Sequence, residues 1–117
     1  MKIGTDIEEI NRFEKINLES FCNKYFTHAE KEYSLKKGVQ TVAGIYSCKE
    51  AVLKAFGIGI CRGVNLNEIS ILHDENGKPY LEKNHTLTTL LNKYGLSGAD
   101  ISISHTKQIV QSVCILF

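Results

Sequence analysis

Three charged residues, Lys49, Glu50 and Lys54, interrupt a stretch that is otherwise apolar or small, Thr-Val-Ala-Gly-Ile-Tyr-Ser-Cys-Lys-Glu-Ala-Val-Leu-Lys-Ala-Phe over residues 41–56. Charges in such a setting need partners or a purpose, because a buried ion without a counter-charge is costly. Glu50 and Lys54 are four apart and share a helix face, which alone gives an ordinary stabilising pair of about 0.2–0.5 kcal/mol. Lys49 projects within the apolar side, where a lysine ordinarily lays down its stem and lifts its ammonium into water. The next residues, Gly57-Ile58-Gly59-Ile60-Cys61-Arg62-Gly63, are rich in glycine and carry an arginine near their end. Such a loop lets backbone N–H groups approach an anion. The segment thus combines a carboxylate, a lysine one helical turn later and a loop suited to negative charge.

The residues that must position this chemistry predict one helix over Val42 to Phe56, with Thr41 as N-cap and Gly57 as the left-handed residue beyond its end. At a helical repeat of about 100° per residue, Val42, Ile45, Tyr46, Val52, Leu53 and Phe56 fall on one arc, and Gly44, Ser47, Cys48, Ala51 and Ala55 on the other. An apolar face backed by small residues predicts a helix buried between two layers.

Around it, the alternation of Ile3, Thr5 and Ile7 with Gly4, Asp6 and Glu8 predicts a first strand with Asp6 facing away from the isoleucines. Asn11 with Glu14, and Thr27 with Glu30, have capping-box spacing and begin helical segments, the second closed by Gly38. Glu68 to Leu72 and Pro79 to Glu82 flank an Asp74-Glu75-Asn76-Gly77 turn as a hairpin. Leu87, Leu90, Leu91 and Tyr94 predict a helix over Thr86 to Tyr94. Asp100 to His105 and Ile109 to Phe117 form a last hairpin around Thr106-Lys107-Gln108. This order predicts a single small α+β domain over residues 1–117, with a mainly antiparallel sheet and a buried central helix.

At 117 residues the chain is near the size where burial per residue is limited, so oligomerisation would help it. A net charge of +1 gives no electrostatic case for duplex nucleic acid. No apolar run is long enough to span a membrane and the opening Met-Lys-Ile-Gly-Thr-Asp lacks a signal-peptide core, so a cytoplasmic location is expected. Cys22, Cys48, Cys61 and Cys114 lack zinc-site spacing and are expected to be reduced, partly buried thiols.

Ser47-Cys-Lys-Glu-Ala-Val-Leu-Lys-Ala-Phe-Gly-Ile-Gly-Ile60 resembles the signature helix of the holo-acyl-carrier-protein synthases, the small bacterial phosphopantetheinyl transferases. Gly4-Thr5-Asp6-Ile7 with Arg12, the Asn76-Gly77-Lys78-Pro79 turn, and Ile101-Ser102-Ile103-Ser104-His105-Thr106 resemble the same family, in the right order over nearly the whole chain.

The resemblance implies transfer of 4′-phosphopantetheine from coenzyme A to a serine of an apo acyl carrier protein, leaving adenosine 3′,5′-bisphosphate. It matches Asp6 and Glu50 to metal-binding carboxylates, and hard oxygen ligands completed by phosphate and water favour Mg²⁺ over zinc. Lys54 matches the lysine expected to meet phosphate charge near the leaving oxygen. Lys49, Gly57, Gly59, Arg62, His105 and Thr106 are expected to contact coenzyme A. Arg12, with Lys15 assisting, is expected to dock the carrier's acidic helix, and the assembly implied is a homotrimer with the site at a subunit boundary. The family usually has arginine where this chain has Ile45, which puts one phosphate contact in doubt. No general base emerges from the motifs. Alternatives are a catalytically silent module that binds a carrier protein or nucleotide, and a metal-dependent phosphohydrolase of small nucleotides.

Overall fold

The computed structural model describes residues 1–58 and 63–117. Its elements run β1 (Lys2–Glu9), α1 (Asn11–Glu14), α2 (Leu18–Tyr25), α3 (His28–Lys37), α4 (Val39–Phe56), a short 3₁₀ turn (Leu66–Glu68), β2 (Ile71–His73), β3 (Pro79–Leu81), α5 (His85–Lys93), β4 (Ala99–His105) and β5 (Ile109–Leu116). All strand pairs are antiparallel: β1-β5-β4 form one sheet and β2-β3 a separate hairpin.

The central helix begins three residues earlier than its sequence predicts. Gly38, at φ 119°, closes α3 and opens α4, so Thr41 lies inside the helix and caps nothing. A glycine in this backbone region turns the chain between two helices where another residue would be strained. The Thr27/Glu30 capping box forms as predicted. The Asn11/Glu14 one does not: Ile10 stands at the N-cap of α1, and Asn17 caps α2 through the Ser20 N–H. Only Ile10 separates Asn11 from β1, and Ile10 already has helical backbone, so Asn11 falls inside the first turn rather than at its cap. Glu68 belongs to the 3₁₀ turn rather than to β2.

Helix α4 lies between two layers, as its two arcs require. Its small side meets the sheet: a Cβ on Gly4 of β1 would come within 2.1 Å of the Ala51 carbonyl oxygen and 2.4 Å of the Ala55 nitrogen. Strand and helix backbones therefore touch, which only glycine at position 4 permits. Its large side meets the other helices. Tyr46 joins Phe13, Phe21 and Tyr25 in an aromatic cluster with ring centroids 5.2–6.0 Å apart, the range in which tilted and edge-to-face rings attract.

Lys49 corrects the expectation made for it. It is fully buried rather than raised into water, its Nζ ion-paired with Glu30 and donating to the Ile69 carbonyl at 2.7 Å. Glu30 in turn accepts from the Ile71 N–H at 2.7 Å and the Thr27 N–H at 2.8 Å. One buried pair thus ties α3, α4 and the entry to β2 together.

The β2-β3 hairpin is held to α3 by a ring stack, Tyr33 on His73, with centroids 4.1 Å apart and planes 10° from parallel. The His73 Nδ1 is buried without a hydrogen-bond partner, and burial pushes the imidazole below its usual pKa despite Asp74 nearby, with Lys37 adding to the fall. A depressed folded pKa means that His73's contribution to stability is present above the unfolded value near 6.5 and is lost as pH falls through the folded value. The denaturation midpoint should therefore drop from pH 7 to pH 5 more steeply in the parent than in His73→Gln. Parallel profiles for the two proteins would refute this.

Candidate active site

Asp6 comes to the site because β1 alternates. Gly4, Asp6 and Glu8 share the face opposite Ser112 and Val110 of β5, against α4, while Ile3 and Ile7 point away at 64% and 65% exposure. The close approach at Gly4 sets Asp6 beside the second half of α4. The Ser47 hydroxyl donates to the Asp6 carbonyl at 3.4 Å, and Lys54 Nζ donates to Asp6 Oδ1 at 3.0 Å. The sequence pairs Lys54 with Glu50, one turn back; the structure turns it across to the strand. No Glu50–Lys54 ion pair forms among the described residues.

Glu50 is half-buried beside Asp6. Burial raises its pKa most, the Asp6 charge next, while the Tyr46 hydroxyl, Lys54 and Arg12 pull the other way. Two oxygens here, Asp6 Oδ2 and Glu50 Oε1, are buried without any hydrogen-bond donor. Buried polar atoms ordinarily find partners, and an orphaned carboxylate oxygen is costlier than most. Two such oxygens, both hard donors, are of the kind a small divalent cation takes. No group of three or more His, Cys, Asp or Glu with ligand geometry occurs among the described residues, so phosphate and water would complete the shell.

A third carboxylate, to which the sequence motifs assign no role, stands beside them. The Glu8 side chain is only 11% exposed, lies against Asp6 and is ion-paired with Arg12. Its pKa is raised to about 7, first by burial, then by the neighbouring Asp6 carboxylate, with Arg12 opposing and Glu50 adding to the rise. The signal was in the alternation: whatever faces inward at position 6 brings position 8 with it.

The Asp6–Lys54 pair opens on a cleft of about 550 Å³ whose far wall is Ser104, His105 and Thr106 at the turn of the last hairpin. His105 also lines a smaller cleft, of about 220 Å³, with Ile45, Tyr33, His73 and Pro79. The Asn76–Pro79 turn and the His105 segment, distant in sequence, thus meet. Thr106 accepts the N–H groups of Gln108 and Ile109 at 3.1 Å, which fixes the turn and leaves its own hydroxyl hydrogen to donate.

Other expected contacts fall elsewhere. Lys49 is enclosed with Glu30 and lines neither cleft, so it is not a coenzyme A contact here. Gly57 adopts the left-handed conformation predicted, at φ 74°, but its N–H donates to the Lys54 carbonyl at 3.0 Å and closes the helix rather than facing an anion. Gly59 and Arg62 lie outside the described residues. Arg12 packs its guanidinium 5.0 Å from the Phe13 ring and 5.4 Å from the Tyr46 ring, with Lys15 exposed at the end of the same short helix.

Comparison with known proteins shows which family the chain belongs to. A family model described as the 4′-phosphopantetheinyl transferase superfamily matches residues 2–113. The chain belongs to that superfamily. It is 42% identical over 118 aligned positions to a holo-[acyl-carrier-protein] synthase of Fusobacterium nucleatum subsp. nucleatum, covering 97% of this chain and 96% of the relative. A crystal structure of a holo-(acyl-carrier-protein) synthase from Bacillus anthracis str. Ames in complex with CoA (3′,5′-ADP) superposes with a TM-score of 0.80 at 33% identity, over 98% of this chain and 94% of that one. The Helicobacter pylori holo-[acyl-carrier-protein] synthase superposes at 0.86 over 98% and 99% of the chains; at 24% identity it speaks for the fold alone. In this superfamily member, the α+β fold with its antiparallel sheet and buried helix is therefore the one expected from its sequence.

Proposed function

We infer that this chain transfers 4′-phosphopantetheine from coenzyme A to a serine of an apo acyl carrier protein. The observation that carries the reading is the pair of orphaned carboxylate oxygens of Asp6 and Glu50, with Lys54 on Asp6 and a cleft reaching from that pair to His105. Asp6 and Glu50 would hold Mg²⁺, which when bound supplies positive charge to the pyrophosphate. Lys54, with its side chain 54% exposed, exchanges its Asp6 contact for the phosphate oxygen that gains charge as the bond to the leaving group breaks. His105 and the Thr106 hydroxyl donate to the nucleotide half from the opposite wall, which holds the phosphorus in line with the incoming serine. Incubation with coenzyme A and apo carrier, followed by intact-protein mass spectrometry, tests this. Carrier gaining phosphopantetheine is the expected result; coenzyme A cleavage without modified carrier, or no change, would reject it.

Lys54→Ala should lower turnover by about 10²-fold or more while changing coenzyme A affinity much less, since charge opposite a leaving group matters most in the transition state. Equal losses in affinity and in kcat/KM, with kcat intact, would make Lys54 a binding residue only.

The working form is a homotrimer of single-domain chains in the cytoplasm. Ile3, Ile7, Ile109 and Ile115 stand exposed on the sheet face opposite α4, and the larger cleft opens among Thr5, Ile7 and Gln111 on that face. A neighbouring copy set there would cover the isoleucines and wall the cleft, as long substrates often require. Light scattering should give three times the chain mass, and mixing inactive Glu50→Ala with inactive His105→Ala should restore activity after subunit exchange. A fully active monomer would overturn the assembly.

A further inference from the structure

The wall of the larger cleft made by Ser104, His105 and Thr106 is the tip of the β4–β5 hairpin, and hairpin tips are ordinarily among the more mobile parts of a fold. This one is tied from three directions. Within the tip, the Thr106 N–H donates to the Ile109 carbonyl at 2.8 Å, and the Thr106 hydroxyl oxygen accepts from the Gln108 and Ile109 N–H groups. From the end of β1, the Ile10 N–H donates to the Gln108 carbonyl at 2.9 Å. From α4, Gln40 Nε2 donates to the Thr106 carbonyl at 3.1 Å, across 66 positions of sequence. Among the described residues it is the one side-chain hydrogen bond that reaches the tip from another element.

Gln40 reaches the tip because of where α4 begins and how closely it lies on the sheet. The helix starts at Val39, which makes Gln40 its second residue. Gly44, one turn further on the same face, brings α4 down: a Cβ there would lie 3.4 Å from a methyl carbon of Ile103 and 4.0 Å from one of Val110. Gln40 also lines the smaller cleft, and His105 lines both. The bond to Thr106 thus stands where the two clefts meet.

We propose that Gln40 is a positioning residue for coenzyme A: its side-chain amide fixes the Thr106 carbonyl, and so holds His105 and Thr106 in ligand-binding geometry before the ligand arrives. The inference rests on the proposed function, because it takes the nucleotide half of coenzyme A to be what the tip meets. Its physical basis is preorganisation. A tip that must be ordered on binding loses part of the interaction energy to its own ordering, whereas a tip already ordered by folding does not. The Gln40 amide is neutral and its bond exposed, so the effect is the size of one ordinary hydrogen bond.

The test uses the full chain with Mg²⁺ and without carrier, so that no transfer occurs, and measures coenzyme A binding by titration calorimetry. Gln40→Met keeps the length of the side chain and removes the donor. It should bind coenzyme A about 5-fold more weakly than the parent, and Gln40→Ala should do the same. A second measurement, on the ligand-free proteins, separates positioning from direct contact with the ligand. Amide hydrogen exchange at Gln108 and Ile109, whose N–H groups rest on Thr106, should quicken several-fold in Gln40→Met, while Thr5 and Val113, paired in mid-sheet, exchange as in the parent. Equal coenzyme A affinity in Gln40→Met and parent would overturn the inference and leave the proposed function standing. So would weaker binding with unchanged exchange at the tip, which would make Gln40 a contact of the ligand itself. No binding of coenzyme A to the parent would remove the proposed function and the inference together.

Discussion

Replacing Glu50 with glutamine is expected to lower phosphopantetheine transfer by at least about 100-fold, while leaving the cation-free protein as stable as the parent or more so. The two effects have one cause. Glu50 faces Asp6 from a half-buried position on α4, and its Oε1 has no donor. Its pKa is raised by burial and by Asp6, so its favourable contribution is present below the unfolded value near 4.5 and is lost as pH rises through the folded value. At neutral pH the ionised side chain therefore opposes folding until something positive joins it. Glutamine keeps the shape, removes the charge and can donate to Asp6. It removes a ligand of the cation too, and even residues that only orient ligands are worth about 10–100-fold. Denaturation in chelator should show Glu50→Gln melting at or above the parent. Added Mg²⁺ should raise the midpoint of the parent and not of the variant, since a ligand stabilises only the state that binds it. A variant that melts lower in chelator yet still gains from Mg²⁺ would show that Glu50 is a structural carboxylate.

What the sequence revealed about this site depended on how local each signal was. The β1 alternation put Asp6 opposite the isoleucines, and the two arcs of α4 announced burial on both sides; both are properties of a single element. Which neighbour each charge would choose is a property of packing. Lys54 lies one turn from Glu50, and spacing alone offers that pair, but contact of β1 with α4 at Gly4 brings Asp6 nearer. The same contact buries Glu8 to a depth that no local pattern marks: it follows from that of β1, set by residues 51 and 55 far along the chain. The isoleucines teach the converse. Alternation shows two faces of a strand without saying which is covered, and here the polar face with glycine is the buried one, because small residues let a helix approach and isoleucine does not.

Lys49, which the family resemblance sets against coenzyme A, is instead an interior charge that joins α4 to α3 and to the entry of β2. Lys49→Met is expected to destabilise the protein by about 3–5 kcal/mol, because it leaves Glu30 ionised and enclosed without its counter-ion. Burial pulls the Lys49 ammonium below its usual pKa and Glu30 opposes that pull. Both side chains are 0% exposed, so no water can take either partner's place. The loss would not stop at one ion pair. Lys49 also holds the Ile69 carbonyl at 2.7 Å and Glu30 the Ile71 N–H at 2.7 Å, so the chain entering β2 is fixed from both sides by this pair. With β2 goes His73, and with the hairpin goes the Pro79 edge of the smaller cleft. Glu30→Gln alone should also destabilise, since the ammonium is then the buried orphan. The double variant, Lys49→Met with Glu30→Gln, should be more stable than Lys49→Met, because a neutral amide still accepts the Ile71 N–H while no charge is left unpaired. Denaturant titration at one fixed protein concentration measures all three. Additive losses in the double variant would mean that the pair is not a unit. A loss below about 1 kcal/mol for Lys49→Met would place the ion in the weak class of solvent-exposed pairs, against everything its enclosure requires.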